Sequence, residues 1–155
     1  MQGINIAKVM NVDATFELKE FENYFDKVLL DAPCSAEGRI NLSEGRTYGF
    51  WSEKNIRQNA KLQRRLFKAA VKSLRAGGFL VYSTCTLAPE ENEMMVNWAL
   101  EEFPELKLEN LKLNFKFKLP VTREGTLKAM PSKISEGFFV AKFRKNNWVP
   151  IPVYP

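Results

Sequence analysis

Phe79-Leu80-Val81-Tyr82-Ser83-Thr84-Cys85 is a short apolar run that turns polar and ends on a thiol. A run of this length without alternation predicts a strand buried on both faces. Asp26-Lys27-Val28-Leu29-Leu30-Asp31 predicts a second such strand, bounded by aspartates. Ala32 to Phe50, rich in Gly and polar residues, reads as a long loop, and loops of that length in a compact domain are usually functional. Ser52 is a good N-cap for a helix running to about Leu74 and stopping at Gly77-Gly78, just before the second strand. Strand, loop, helix and strand in this order predict an α/β domain with a parallel centre.

Outward from that unit, Ile4 to Val12 predicts a strand ending at Asp13, and Glu17 to Phe25 a short helix or loop. Pro89 suits a first helical turn, and Glu90, Glu91 and Glu93 favour the positive end of the dipole of a helix reaching about Phe103. Leu111 to Leu119 alternates apolar residues with Lys or Asn, the pattern of a half-exposed strand at or near a sheet edge. Gly137 to Phe143 predicts a last strand, and Trp148 to Pro155 a Pro-rich tail after a single domain over 1–147.

The 155 residues contain no histidine, which removes Ser-His-Asp and Cys-His catalysis and His-ligated metal sites. Two cysteines cannot form a four-thiolate metal site, and they suit a reducing, cytoplasmic setting. No apolar run approaches the length of a membrane helix. The net charge of +5 is uneven: −3 over residues 1–50, +7 over 51–88 and +1 over 89–155. Lys54, Arg57, Lys61, Arg64, Arg65, Lys68, Lys72 and Arg75 share one stripe of the predicted helix, opposite Ile56, Ala60, Leu66, Phe67, Ala70 and Leu74. The stripe reads either as a solvated face or as a surface that meets phosphates.

Sites in open α/β sheets form at the carboxyl ends of strands. Asp31-Ala32-Pro33-Cys34-Ser35 and Ser83-Thr84-Cys85-Thr86 follow the two central strands, so neighbouring strands would bring one carboxylate and both thiols to one rim. On composition alone the cysteines read equally well as small buried hydrophobes.

The wording of the two loops goes further. Residues 31–38, Asp-Ala-Pro-Cys-Ser-Ala-Glu-Gly, and residues 82–93, Tyr-Ser-Thr-Cys-Thr-Leu-Ala-Pro-Glu-Glu-Asn-Glu, resemble the two motifs of the Nop/Sun family of RNA cytosine-5 methyltransferases. Met130-Pro131 through Glu136-Gly137-Phe138-Phe139-Val140-Ala141-Lys142 resembles that family's closing strand. The resemblance implies a Rossmann-like class I methyltransferase fold. It also implies methyl transfer from S-adenosylmethionine to carbon 5 of a cytosine in tRNA or rRNA, with Cys85 as the nucleophile. Cys34 is then the thiol that assists product release, and Asp31 the carboxylate that hydrogen-bonds the base. Asp13, Asp31 and Pro33 would border the cofactor, and Lys54, Arg57, Lys61, Arg64 and Lys68 would meet RNA.

Ala36 and Glu37 stand where the family usually has a glycine and a small residue, and Ser132 where many members have a histidine. The family's first strand and cofactor glycine loop have no counterpart before Asp31, so residues 1–147 are expected to be the C-terminal, catalytic part of such a methyltransferase domain, its fold incomplete. A separate polypeptide, an upstream segment or self-association would then complete it. The competing reading is a non-enzymatic remnant or accessory RNA-binding module that keeps the motifs without a complete cofactor site.

Overall fold

The computed structural model describes residues 8–16, 19–111, 125–133 and 135–147. A 3-10 turn at Lys19–Phe21 precedes strand β1 (Phe25–Asp31), and two further 3-10 turns, Glu37–Arg39 and Gly45–Thr47, interrupt the long loop. Helix α1 (Glu53–Ser73) leads into β2 (Leu74–Thr84), followed by helix α2 (Glu93–Glu102) and strands β3 (Leu106–Leu108), β4 (Thr126–Ala129) and β5 (Phe138–Lys145). The sheet order is β1-β2-β5-β3, with β4 also on β5. β1 and β2 are parallel, as expected, whereas β5 runs antiparallel to β2, β3 and β4. The parallel centre is therefore a single pair. β3 meets β5 near Phe143 to Lys145 and β4 meets it near Phe138 to Ala141, so the two short strands share one edge.

Ser52 caps α1 as its sequence predicts, its hydroxyl accepting from the Asn55 amide at 3.1 Å. The helix ends at Ser73 rather than at the two glycines, because Leu74 turns extended while its amide still bonds Ala70. Gly77 and Gly78 fall inside β2 instead. There the register jumps from Leu74 to Phe79 while β1 moves only from Phe25 to Lys27. Gly77 absorbs the irregularity at φ +79, where a side chain would be strained.

The core lies between the sheet and the two helices. Phe67 of α1, fully buried, meets the rings of Tyr82, Trp98, Phe103 and Phe143 at 5.3 to 6.1 Å between centroids. β2 is buried as expected, with Leu80 and Tyr82 at 0% exposure, but β1 is not. Leu29 is 71% exposed, and β1 has no strand neighbour on its outer side among the described residues. An apolar sequence states what a strand can bury, not whether a neighbour covers it.

The strand expected to end at Asp13 is not found over Lys8–Asp13; residues 1–7 lie outside the described residues. Asp13 opens a turn, its carboxylate accepting from the Thr15 amide at 2.9 Å. Of the expected strand over Leu111 to Leu119, residues 112–119 lie outside the described residues, as does the tail at 148–155. Leu111 itself carries no strand. Pro89 belongs to the turn before α2, its carbonyl accepting from Asn92 and Met94.

Candidate active site

Pairing of β1 with β2 sets Asp31 opposite Ser83, and the two loops leave the sheet side by side. The Ala32 amide donates to the Ser83 carbonyl at 3.0 Å, and the Ser83 hydroxyl donates to the Asp31 carboxylate at 2.8 Å. Just beyond, the sulfurs of Cys34 and Cys85 stand 3.1 Å apart, each half-buried. The rim thus unites the three residues expected there.

Two glycines close the loops against the sheet. The Gly38 amide donates to the Cys85 carbonyl at 3.0 Å, and the Gly137 amide donates to the Gly38 carbonyl at 2.8 Å. A Cβ on Gly38 would stand 2.4 Å from the Gly137 oxygen and 2.8 Å from the Cys85 oxygen, so only glycine permits this approach. The start of β5 is in this way part of the rim.

Behind the thiols lies a buried polar layer. Glu91, fully buried, accepts from the Ser35 amide at 3.2 and 3.3 Å and from Gln63 Nε2 at 2.6 Å. The Tyr82 hydroxyl donates to the Glu91 carbonyl at 2.7 Å, and Ser35 and Thr86 share a hydroxyl hydrogen bond at 2.7 Å. Asn92 accepts from the Thr84 hydroxyl and donates to the Thr86 carbonyl. Such groups are tolerated in a core because they bond one another.

Burial pushes the Cys34 thiol up to about 12, helped by its hydrogen bond with Cys85, so Cys34 keeps its proton at neutral pH. Burial also raises Glu91, against the opposing effect of the Ser35 and Gln63 hydrogen bonds, and raises Tyr82. Exposed Asp13 is held low by its Thr15 hydrogen bonds.

The sequence reading missed the roles of three residues here. Glu91, expected at the start of a helix dipole, is instead a buried tie, and α2 begins only at Glu93. Gln63 lies on the buried face of α1 with Ile56, Phe67, Ala70 and Val71, a polar residue in a core position that could have marked it. Glu37 accepts from the Trp51 indole at 2.7 Å and from the Thr86 hydroxyl at 3.5 Å, linking an exposed aromatic ring to the residue after Cys85.

The cationic stripe is exposed as expected except at half-buried Lys72, and part of it is engaged within the chain. Arg57 pairs with Glu53, Lys68 with Glu102, and Arg64 lies over the Trp98 ring at 5.2 Å. Lys54 and Lys61 are exposed on the same face. Among the described residues no cluster of His, Cys, Asp or Glu could hold a metal, and no helix is long and apolar enough to cross a membrane.

As a cofactor site the residues fit in part. Asp31 and Pro33 are exposed at the thiol rim and can face a bound molecule. Asp13 shares no hydrogen bond with the rim residues; its neighbours Val12 and Ala14 line an apolar cavity of about 230 Å³ with Leu29, Leu30, Leu66 and Ala70. None of Asp31, Pro33, Cys34 and Cys85 lines that cavity.

Residues 1–144 match the family model described as 16S rRNA methyltransferase RsmB/F. The chain is 43% identical to the tRNA (cytosine(49)-C(5))-methyltransferase of Pyrococcus abyssi, over 92% of its own length and 49% of that protein. It is 36% identical to the ribosomal RNA small subunit methyltransferase F of Pectobacterium atrosepticum, over 96% of its length and 31% of that protein. The crystal structure of NSun6 from Pyrococcus horikoshii with SFG matches with a TM-score of 0.70 and 36% identity, over 89% of this chain and 34% of the other. The chain thus spans a third to a half of the length of these relatives. Its fold is part of the Rossmann-like methyltransferase fold of that structure, and the chain belongs to the 16S rRNA methyltransferase RsmB/F family.

Proposed function

We propose that this chain carries the reacting thiols of an RNA cytosine-5 methyltransferase that uses S-adenosylmethionine and acts on tRNA or rRNA. The observation that carries the reading is the 3.1 Å approach of Cys34 and Cys85 at the carboxyl ends of a parallel strand pair, beside the exposed Asp31 carboxylate. Relatives named as tRNA and rRNA methyltransferases support the substrate class.

Carbon 5 of cytosine is a poor nucleophile. Addition of the Cys85 thiolate to carbon 6 makes the ring an enamine that can accept a methyl group at carbon 5, a covalent route through two easier steps. A proton held between Asp31, steadied by the Ser83 hydroxyl, and ring nitrogen 3 offsets the negative charge that Cys85 addition places on the ring. Bound S-adenosylmethionine supplies the electrophilic methyl group, and Asp31 and Pro33 are the rim residues placed to border it. Release requires transfer of the carbon 5 proton to solvent water, which reaches the exposed rim, and departure of Cys85. Cys34 assists: its S–H, 3.1 Å away and protonated at neutral pH, donates to the departing sulfur. The base must leave its stack to reach this rim. Lys54 and Lys61, with Arg57, Arg64 and Lys68 beside them, provide a cationic face for the RNA backbone. The outer edge of β1, without a strand neighbour among the described residues, offers pairing to a segment that completes the cofactor site.

The test is nucleoside mass spectrometry after incubation with S-adenosylmethionine and tRNA or rRNA transcripts. New 5-methylcytosine that disappears in Cys85→Ser supports the reading. RNA binding without methyl transfer by cofactor-bound protein supports an accessory RNA-binding module instead.

A further inference from the structure

We infer that Glu91 is a positioning residue for Cys34, setting the distance between the two thiols by holding the backbone on both sides of Cys34. The inference rests on the reading of Cys34 and Cys85 as the working thiols. Glu91 follows Cys85 on the loop to α2 and is fully buried. Its carboxylate holds the Ser35 amide through both oxygens, at 3.2 and 3.3 Å. Gln63 Nε2 donates to the same carboxylate at 2.6 Å and to the Pro33 carbonyl at 2.9 Å. The peptide groups before and after Cys34 are therefore both tied to one side-chain pair. Glu91 is fixed in turn by its own backbone: its carbonyl accepts from the Tyr82 hydroxyl at 2.7 Å, and its amide donates to Ala88 at 3.2 Å.

Stability alone does not call for this pair. A buried carboxylate is costly to desolvate, and an apolar residue of similar volume is often as stable. Gln63 sits where Leu or Met would pack, and its Oε1 is buried without a hydrogen-bond partner among the described residues, a further cost. What the pair supplies is geometry. Two acceptor oxygens and one shared donor join β2's loop, β1's loop and α1 at the residue that carries the Cys34 sulfur. Reactions between positioned groups are sensitive to displacements of an ångström.

The test reads thiol spacing directly. Diamide takes one hydrogen from each thiol as the Cys34–Cys85 disulfide forms, and mass spectrometry follows the loss of two hydrogens from the chain. Glu91→Gln conserves shape but turns an amide donor toward Gln63 or Ser35, and Gln63→Met removes the donor to Pro33 and Glu91. Either substitution should slow disulfide formation about fivefold or more. Phe103→Leu loosens the core on Phe67 away from the thiols and serves as the stability control; it should leave the rate within about twofold at a similar loss of Tm. An unchanged rate in folded Glu91→Gln or Gln63→Met overturns the inference, and Gln63→Met decides alone where Glu91→Gln does not fold. The assay needs neither RNA nor cofactor, so a slowed rate upholds the positioning role even where the methyltransferase reading fails. In protein active in transfer, Glu91→Gln should lower kcat with KM little changed and accumulate RNA attached to Cys85; an unchanged kcat contradicts the role.

Discussion

The Cys34 sulfur lies 3.1 Å from the Cys85 sulfur although 51 residues separate them in the chain. The contact follows from one register. Asp31 pairs with Ser83, and Cys34 stands three residues beyond Asp31 while Cys85 stands two beyond Ser83. Gly38, bonded to Cys85 and Gly137, then folds the first loop back over the second.

Cys34 should resist alkylation. With its thiol raised from 9.0 to about 12, chiefly by burial, the thiolate is scarce at pH 8. Iodoacetamide labelling followed by peptide mass spectrometry should modify Cys34 far more slowly than a free cysteine, with a rate that climbs toward pH 12. Cys85→Ser removes one of the groups that raise it and should speed the labelling. The sign for stability follows: the folded value exceeds the unfolded one, so this group's contribution is present below pH 9 and is lost between 9 and 12. Labelling at pH 8 as fast as free cysteine contradicts this.

Gly38→Ala should destabilise the protein by about 2 kcal/mol, the usual cost of forcing atoms into a close-packed site. Its Cβ meets backbone atoms of Gly137 and Cys85, which cannot swing aside as a flexible side chain would. Thermal or urea unfolding measures the loss. A change below about 0.5 kcal/mol would mean that the loops relax freely.

Ala36→Gly should do the reverse. Ala36 adopts φ 58, in the left-handed region that disfavours a side chain. Glycine there should gain up to about 1 kcal/mol after its larger unfolded-state entropy is offset. Urea denaturation gives the difference.

The sequence carried the local elements well where periodicity and capping agree. Ser52 and the stripe of α1 located that helix, and the run ending at Cys85 located β2 and its thiol. Other features depend on partners distant in sequence. Val28-Leu29-Leu30 is equally apolar whether its outer edge is covered or open. Gly77-Gly78 resembles a helix stop, yet tertiary pairing draws it into β2. Thr126–Ala129 has no alternation long enough to announce a strand, and β5 supplies its order. At the site, the two motifs located Asp31, Cys34 and Cys85. Glu91 beside Glu90 and Glu93 looks like surface charge, and only the fold turns it inward to Ser35 and Gln63.

Lys54→Glu with Lys61→Glu should weaken RNA binding across sequences. For every phosphate no longer neutralised, the slope of log affinity against log salt should fall by about 0.7 to 0.9. These two lysines are the informative choice, because reversing Lys68 or Arg57 also disturbs Glu102 or Glu53. Stability should change by less than about 1 kcal/mol. Filter binding over a salt series measures both affinity and slope, and an unchanged slope would make this face merely solvated.

The most direct test of the account uses RNA carrying 5-fluorocytidine. Fluorine at carbon 5 blocks the final elimination, so an enzyme working through a thiol adduct remains attached to its product. Protein shown by calorimetry to bind S-adenosylmethionine is incubated with this RNA, and the attachment site is mapped by mass spectrometry. The account predicts one adduct on Cys85, lost in Cys85→Ser and retained in Cys34→Ser. An adduct on Cys34, one that survives Cys85→Ser, or none in cofactor-bound protein would contradict it.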